Sequence, residues 1–125
     1  PLMQFALYAN ISEAKIVFKI VVHADVRGEL LALPASVQAK MIAKIEKLRR
    51  NPTALREPDS KPLSPGLFEI RTLGGIQSWG IYVFQRNETI FLLRVFVKKT
   101  PKTPPAEIRL ALKRLQEMRD EQENN

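Results

Sequence analysis

Glu69 and Arg71 stand two residues apart in the run Leu-Phe-Glu-Ile-Arg-Thr, residues 67–72. On a strand that spacing puts both side chains on one face. A carboxylate there can act as a general base beside a cation that holds phosphate. RNA cleavage by attack of its own 2′-hydroxyl needs such a base, an acid for the leaving oxygen and stabilisation of the developing charge. Glu, Lys, Arg and Tyr fill those roles without a metal. The plainer reading of the same pair is a surface ion pair of small energetic weight.

Other chemistries find less support. The chain has no Cys, which excludes a thiol nucleophile, a zinc-thiolate site and a disulfide framework. His, Asp and Glu do not cluster at metal-ligand spacing, so neither metal nor cofactor is expected. Gly74-Gly75 lacks the pattern of a phosphate loop. The single histidine, His23, closes an apolar strand and reads as structural. Trp79 reads as a core or sheet anchor rather than a stacking platform.

The elements that position Glu69 and Arg71 follow from periodicity. Residues 16–23, Ile-Val-Phe-Lys-Ile-Val-Val-His, form a β-branched strand. Asp25 can cap a short helix that ends before Pro34. Residues 35–50 carry Val37, Met41, Ile45 and Leu48 at helical spacing, with Lys and Arg on much of the remaining surface. Asn51-Pro52 stops that helix, and the proline-rich stretch 52–66 reads as a loop. Strands follow at 67–72, 79–85 and 89–98, with connections short enough to force an antiparallel meander. A basic, proline-rich segment, 98–105, leads to a helix from Pro105 to about Glu121, with Thr103 as its cap and Ile108, Ala111, Leu112, Leu115 and Met118 on its apolar side.

The predicted class is α+β: a mostly antiparallel sheet with helices packed on one face, in the order β-α-α-β-β-β-α. The expected organisation is one domain over 16–121, an N-terminal extension at 1–15 and a frayed tail at 122–125. Pro1-Leu2 ahead of Met3 reads as a cloning remnant.

Strand parity then assigns faces. In the last strand Ile90, Leu92, Arg94, Phe96 and Lys98 alternate with the uniformly apolar Phe91, Leu93, Val95 and Val97. The polar parities gather Glu69, Arg71, Arg94 and Lys98 on the face away from the helices, where Tyr82 can join them. A cationic, partly aromatic sheet face suits a phosphate backbone and unstacked bases. An ordinary solvated sheet face, which needs charge for solubility, explains the same pattern.

Lys and Arg number 20 against 13 acids, a net charge of +7. That excess favours a polyanion or an acidic protein as partner, and it also serves plain solubility. No apolar run approaches a membrane span, and no secretory signal is evident, so a cytoplasmic location is expected.

The C-terminal half resembles the RelE/HigB toxin superfamily, in particular its phage-associated HigB-like branch. The carrying segments are Lys61-Pro62-Leu63, Gly66-Leu67-Phe68-Glu69-Ile70-Arg71, Ile81-Tyr82-Val83-Phe84 and the run from Phe91 to Pro104 with its Lys98-Lys99-Thr100 step. Glu107-Ile108, Ala111 and Arg114-Leu115 continue the likeness, as do Leu33-Pro34 and Val37-Gln38-Ala39-Lys40 upstream.

The resemblance implies the toxin of a type II toxin–antitoxin pair, acting as an endoribonuclease on mRNA at the ribosome and neutralised by an antitoxin, commonly a helix-turn-helix protein. Any association with DNA would run through that antitoxin. It puts Arg71 on the family's Leu-x-Glu-Leu-Arg-like position and Lys98 and Lys99 on its basic Lys-Lys step; with Glu69 from its chemistry and Arg94 from strand parity, the candidate catalytic set is Arg71, Arg94, Lys98 and Glu69. Lys99, Lys102, Tyr82 and Lys61 are the candidate RNA contacts. One departure stands out: where relatives carry Tyr-Arg, with a phosphate-contacting arginine, this sequence has Trp79-Gly80. Arg94 on the neighbouring strand is the candidate substitute. Two alternatives to the nuclease stay open: a weakened homologue that binds and regulates through its antitoxin, and a basic RNA-binding domain outside any toxin pair.

Overall fold

A computed structural model of the chain describes residues 17–52, 60–64, 66–97 and 102–123. Its elements are β1 (Lys19–Val22), α1 (Val26–Leu31), α2 (Ala35–Arg50), β2 (Ser60–Ser64), β3 (Leu67–Thr72), β4 (Ser78–Gln85), β5 (Thr89–Val97) and α3 (Pro105–Glu123). They build a five-stranded sheet in the order β1-β5-β4-β3-β2. β2 to β5 pair antiparallel in sequence, and β1 lies parallel to β5 at one edge. The α+β class, with a mostly antiparallel sheet, is as expected from the sequence.

Two details of that expectation change. The order gains a strand: residues 60–64, read as part of the proline-rich loop 52–66, form β2. Among the described residues β2 pairs only with β3, so Pro62 sits on an edge strand, the place in a sheet that tolerates a residue without an N–H. The second change concerns layers. Helices cover both faces of the sheet, not one.

On the first face α1 and α2 bring Val26, Val37, Met41 and Leu48 against Ile70, Tyr82, Ile90, Leu92 and Val95. On the second, α3 brings Ala111, Leu115 and Met118 against Leu67, Trp79, Ile81, Val83, Phe91, Leu93 and Phe96. The signal was present in the strands. β4 and β5 are apolar on both parities, the pattern of strands buried on both sides. Leu112, expected on the buried side of α3, is instead 48% exposed.

A β-bulge reshapes the last strand. Ile81 pairs with Arg94, but its neighbour Tyr82 pairs with Leu92, so Leu93 is the extra residue. Alternation therefore breaks inside β5. Ile90, Leu92 and Val95 all join the α1/α2 side, while Phe91, Leu93 and Phe96 join the α3 side. Simple parity, which put Phe96 with Ile90 and Val95 with Phe91, fails beyond the bulge for this reason.

β5 also runs on past the end of β1, and there the edge turned away from β4 has no described strand to pair with. Side chains take over there. Val95 N–H donates to Glu29 of α1 at 3.0 Å, and Leu93 C=O accepts from Arg114 of α3 at 3.0 Å. Buried backbone groups need such partners, and here one helix from each face supplies them.

Candidate functional site

Glu69 lies in the middle of β3 on the α3 side of the sheet, beyond the strip that α3 covers. Its cross-strand partners are Lys61 on β2 and Ile81 on β4. The residue is fully buried. Burial of a carboxylate is costly unless its oxygens are satisfied. Here Oε1 accepts from the Trp79 indole N–H at 3.2 Å, and Oε2 accepts from the Thr103 hydroxyl at 2.7 Å. Lys61 Nζ stands 3.6 Å from Oε1. Partners from β2, β4 and the segment before α3 thus converge on one strand.

Arg71 follows two residues later on the same face, paired across the ladder with Trp79 and partly exposed. Lys61 is partly exposed and Lys102 exposed. Lys61, Arg71 and Lys102 therefore border the Glu69 junction on the side open to solvent. Trp79 is 3% exposed and anchors the sheet, as its sequence context suggested. Thr103, expected to cap α3, turns its hydroxyl to Glu69 instead. Lys98 and Lys99 lie outside the described residues.

Two of the expected site residues are placed elsewhere. Tyr82 is 2% exposed and on the opposite, α1/α2 side of the sheet. It stacks on Phe68 with ring centroids 5.7 Å apart, and its hydroxyl shares a 2.8 Å hydrogen bond with Ser60. Burial pushes that hydroxyl above its usual pKa, against the lowering effect of Ser60. The structure thus overturns the placement of Tyr82 on the cationic face: its strand parity is that of the core.

Arg94 is the second. It emerges at the bulge and is held by carboxylates from both helical layers. Nε and Nη2 bond Glu107 at 2.8 and 3.1 Å, and Nη1 meets Glu29 at 2.8 Å. The guanidinium also stands 5.3 Å from the centre of the Phe96 ring. Its hydrogen bonds to Glu107 raise its pKa, outweighing burial, with Glu29 adding to the effect. Arg114 extends the cluster, meeting Glu29 at 2.7 Å and Asp25 at 3.6 Å. Asp25 stands at the N-cap of α1 but makes no side-chain cap bond. Arg94 is thus neutralised in a framework of charges and is not joined with Arg71. Sequence reasoning missed this cluster because its acids lie far from β5 in the chain.

Gly80 also changes meaning. A side chain at position 80 points to the α1/α2 core, where a Cβ would stand 3.2 Å from Ile70 Cγ1 and 3.5 Å from Leu92 Cδ1. An arginine there would enter apolar packing, not reach the Glu69 face. His23 is structural: its Nδ1 accepts from Asp25 N–H at 3.1 Å and its Nε2 meets Glu117 of α3 at 2.8 Å. Among the described residues no group of His, Asp and Glu is arranged to hold a metal ion, and no helix is long and apolar enough to cross a membrane.

Comparison with known proteins bears on this fold. Residues 28–116 match the model of a family described as phage-derived protein Gp49-like (DUF891). Among solved structures, a double mutant of the E. coli toxin RelE in its free state aligns over 79% of this chain and 98% of its own, at 16% identity and a TM-score of 0.60. A chain of the toxin–antitoxin complex RelBE2 from Mycobacterium tuberculosis aligns over 66% of this chain and 100% of its own, at 21% identity and a TM-score of 0.50. At such identities the likeness is one of fold. No curated protein matches the sequence.

Proposed function

The chain belongs to the phage-derived Gp49-like family, of the RelE-type toxin superfamily, and from that premise we propose that it is the toxin of a type II toxin–antitoxin pair and acts on mRNA at the ribosome. The observation that carries the RNA reading is the placement of Lys61, Arg71 and Lys102 around one buried carboxylate on a face of the sheet. Cations on a rigid strand framework hold phosphates in register. Arg71 is the group best placed to stabilise charge on a scissile phosphate. Cleavage would proceed by 2′-hydroxyl attack, with Lys98 and Lys99 adding positive charge from their place in the sequence. An antitoxin of complementary charge is the expected protein partner, and the cytoplasm the expected setting.

One observation favours the reading of a weakened homologue that only binds its antitoxin. Arg94, the candidate substitute for the relatives' arginine, is bound by Glu29 and Glu107. Induced expression separates the two. The nuclease reading expects growth arrest and translation-dependent cuts in 5′-end maps of the transcripts, both abolished by co-expression of the neighbouring antitoxin gene. Arrest-free expression with no cuts, together with a stable antitoxin complex, selects the regulatory homologue.

A further inference from the structure

Glu69 was the sequence's candidate for the general base, yet a base must come within hydrogen-bond reach of the proton it takes. Glu69 is 0% exposed, and Trp79 and Thr103 each engage one of its two carboxylate oxygens. What it touches is informative. Lys61 is its cross-strand partner on β2, 3.6 Å away. Thr103 adjoins Lys102, and Arg71 is the next residue of β3 on the same face. Among the described residues, Lys61 is therefore ion-paired with Glu69, Lys102 is adjacent to a residue bonded to it, and Arg71 is one strand repeat from it.

We infer that Glu69 is a positioning residue: its buried carboxylate sets the spacing of Lys61, Arg71 and Lys102 that reads the phosphate backbone, and it transfers no proton. This rests on the reading of the face as an RNA site and names how that site is held together. The geometry has the form such a device needs. Two neutral donors and one ammonium, from three separate segments, are fixed by one group that water does not reach. Losing a donor leaves part of a buried carboxylate unsatisfied, so the bonded segment shifts to let water in. A displaced cation then misses its phosphate.

The test compares wild type with Glu69→Gln, Thr103→Val and Thr103→Ser. KM and kcat are measured on mRNA-programmed ribosomes, affinity with uncleavable 2′-O-methyl mRNA on the same ribosomes, and Tm for each variant. Positioning predicts that Thr103→Val and Glu69→Gln each weaken RNA affinity about tenfold, with turnover at saturation changed far less. Thr103→Ser, which keeps the hydroxyl, restores the wild-type affinity without any change at Glu69. Two results overturn the inference. One is a Glu69→Gln protein that binds RNA normally but loses about 10²-fold or more of its turnover, the signature of a base. The other is Thr103→Val with affinity unchanged and the fold intact. A wild-type protein that neither binds nor cuts mRNA removes the RNA reading itself and the positioning role with it. Normal wild-type cleavage with a Glu69→Gln variant that keeps its Tm and its RNA affinity but is dead removes the positioning role alone.

Discussion

At the scale of single residues, Gly80 shows how a departure from relatives can mislead. By resemblance, its missing side chain stands where an arginine contacts phosphate. In the fold, position 80 faces Ile70 and Leu92, with room for little more than a hydrogen. Restoring an arginine here buries an unpaired charge in an apolar cluster, one of the few changes that costs more than about 4 kcal/mol. We expect Gly80→Arg to lower the urea midpoint drastically and to confer no RNA affinity. Gly80→Ala is milder, because the 3.2 Å approach to Ile70 asks for a shift of a few tenths of an ångström. Overpacking of this kind costs about 1–3 kcal/mol where the neighbour cannot move. A Gly80→Arg protein with wild-type stability and tighter RNA binding would show that the side chain reaches the other face.

At the scale of elements, the question is what fastens α3 to the rest. Its apolar stripe packs on the sheet, and its polar edge is tied by Glu107 to Arg94, by Arg114 to Glu29 and by Glu117 to His23. Burial alone would raise the Glu29 pKa. Hydrogen bonds from Arg114 and the Val95 N–H, with the charges of Arg94 and Arg114, outweigh burial and hold the carboxyl below its ordinary range. A carboxylate with a lowered native pKa adds stability that is fully present above its unfolded pKa and lost as the pH falls through its native one. Glu46 on α2 behaves alike, its pKa lowered to about 2 by hydrogen bonds from Arg49 and Arg50. Stability should therefore hold down to about pH 4.5 and decline towards pH 2 in urea titrations followed by Trp79 fluorescence. Arg114→Met removes one of the two arginines that hold Glu29 and the side-chain donor to the Leu93 carbonyl, and should cost about 3 kcal/mol at neutral pH. It should also flatten the acid decline. An unchanged acid profile in that variant would show that Glu29 does not couple α3 to α1.

At the scale of the whole molecule, the +7 charge is not spread evenly in its effect. Arg94 and Arg114 are engaged by carboxylates between the helical layers, and Arg49 and Arg50 by Glu46 on the surface of α2. The cations that border the Glu69 junction face solvent, where phosphates can displace water. For single-stranded RNA the logarithm of affinity falls with the logarithm of salt by about 0.7 per phosphate neutralised, so contacts from Lys61, Arg71 and Lys102 predict a slope near about −2. Replacing Lys61 or Arg71 with Gln should reduce that slope by about 0.7, whereas a change at exposed Lys113 on α3 should leave it alone. A slope unaffected by either site substitution would place the RNA on another surface.

The sequence by itself determined the class, most elements and the neighbours of the site. α2 and β3 lie where periodicity put them, and the meander follows from connections too short for any other pairing. The Glu69–Arg71 pair was legible because two-residue spacing on a strand is a local rule. The tertiary structure decided what locality cannot. The bulge at Leu93 broke the parity that assigned Arg94 and Phe96, and a bulge arises from how two strands register, not from either alone. Pairing to β3 turned a proline-rich stretch into an edge strand. Burial on both sides moved Tyr82 into a core, and closure of β2, β4 and Thr103 around Glu69 changed that residue from an apparent base into a buried junction. In each case the deciding partner is distant in the chain, and packing, which alone brings it near, sets whether a polar side chain is exposed to act or enclosed to hold.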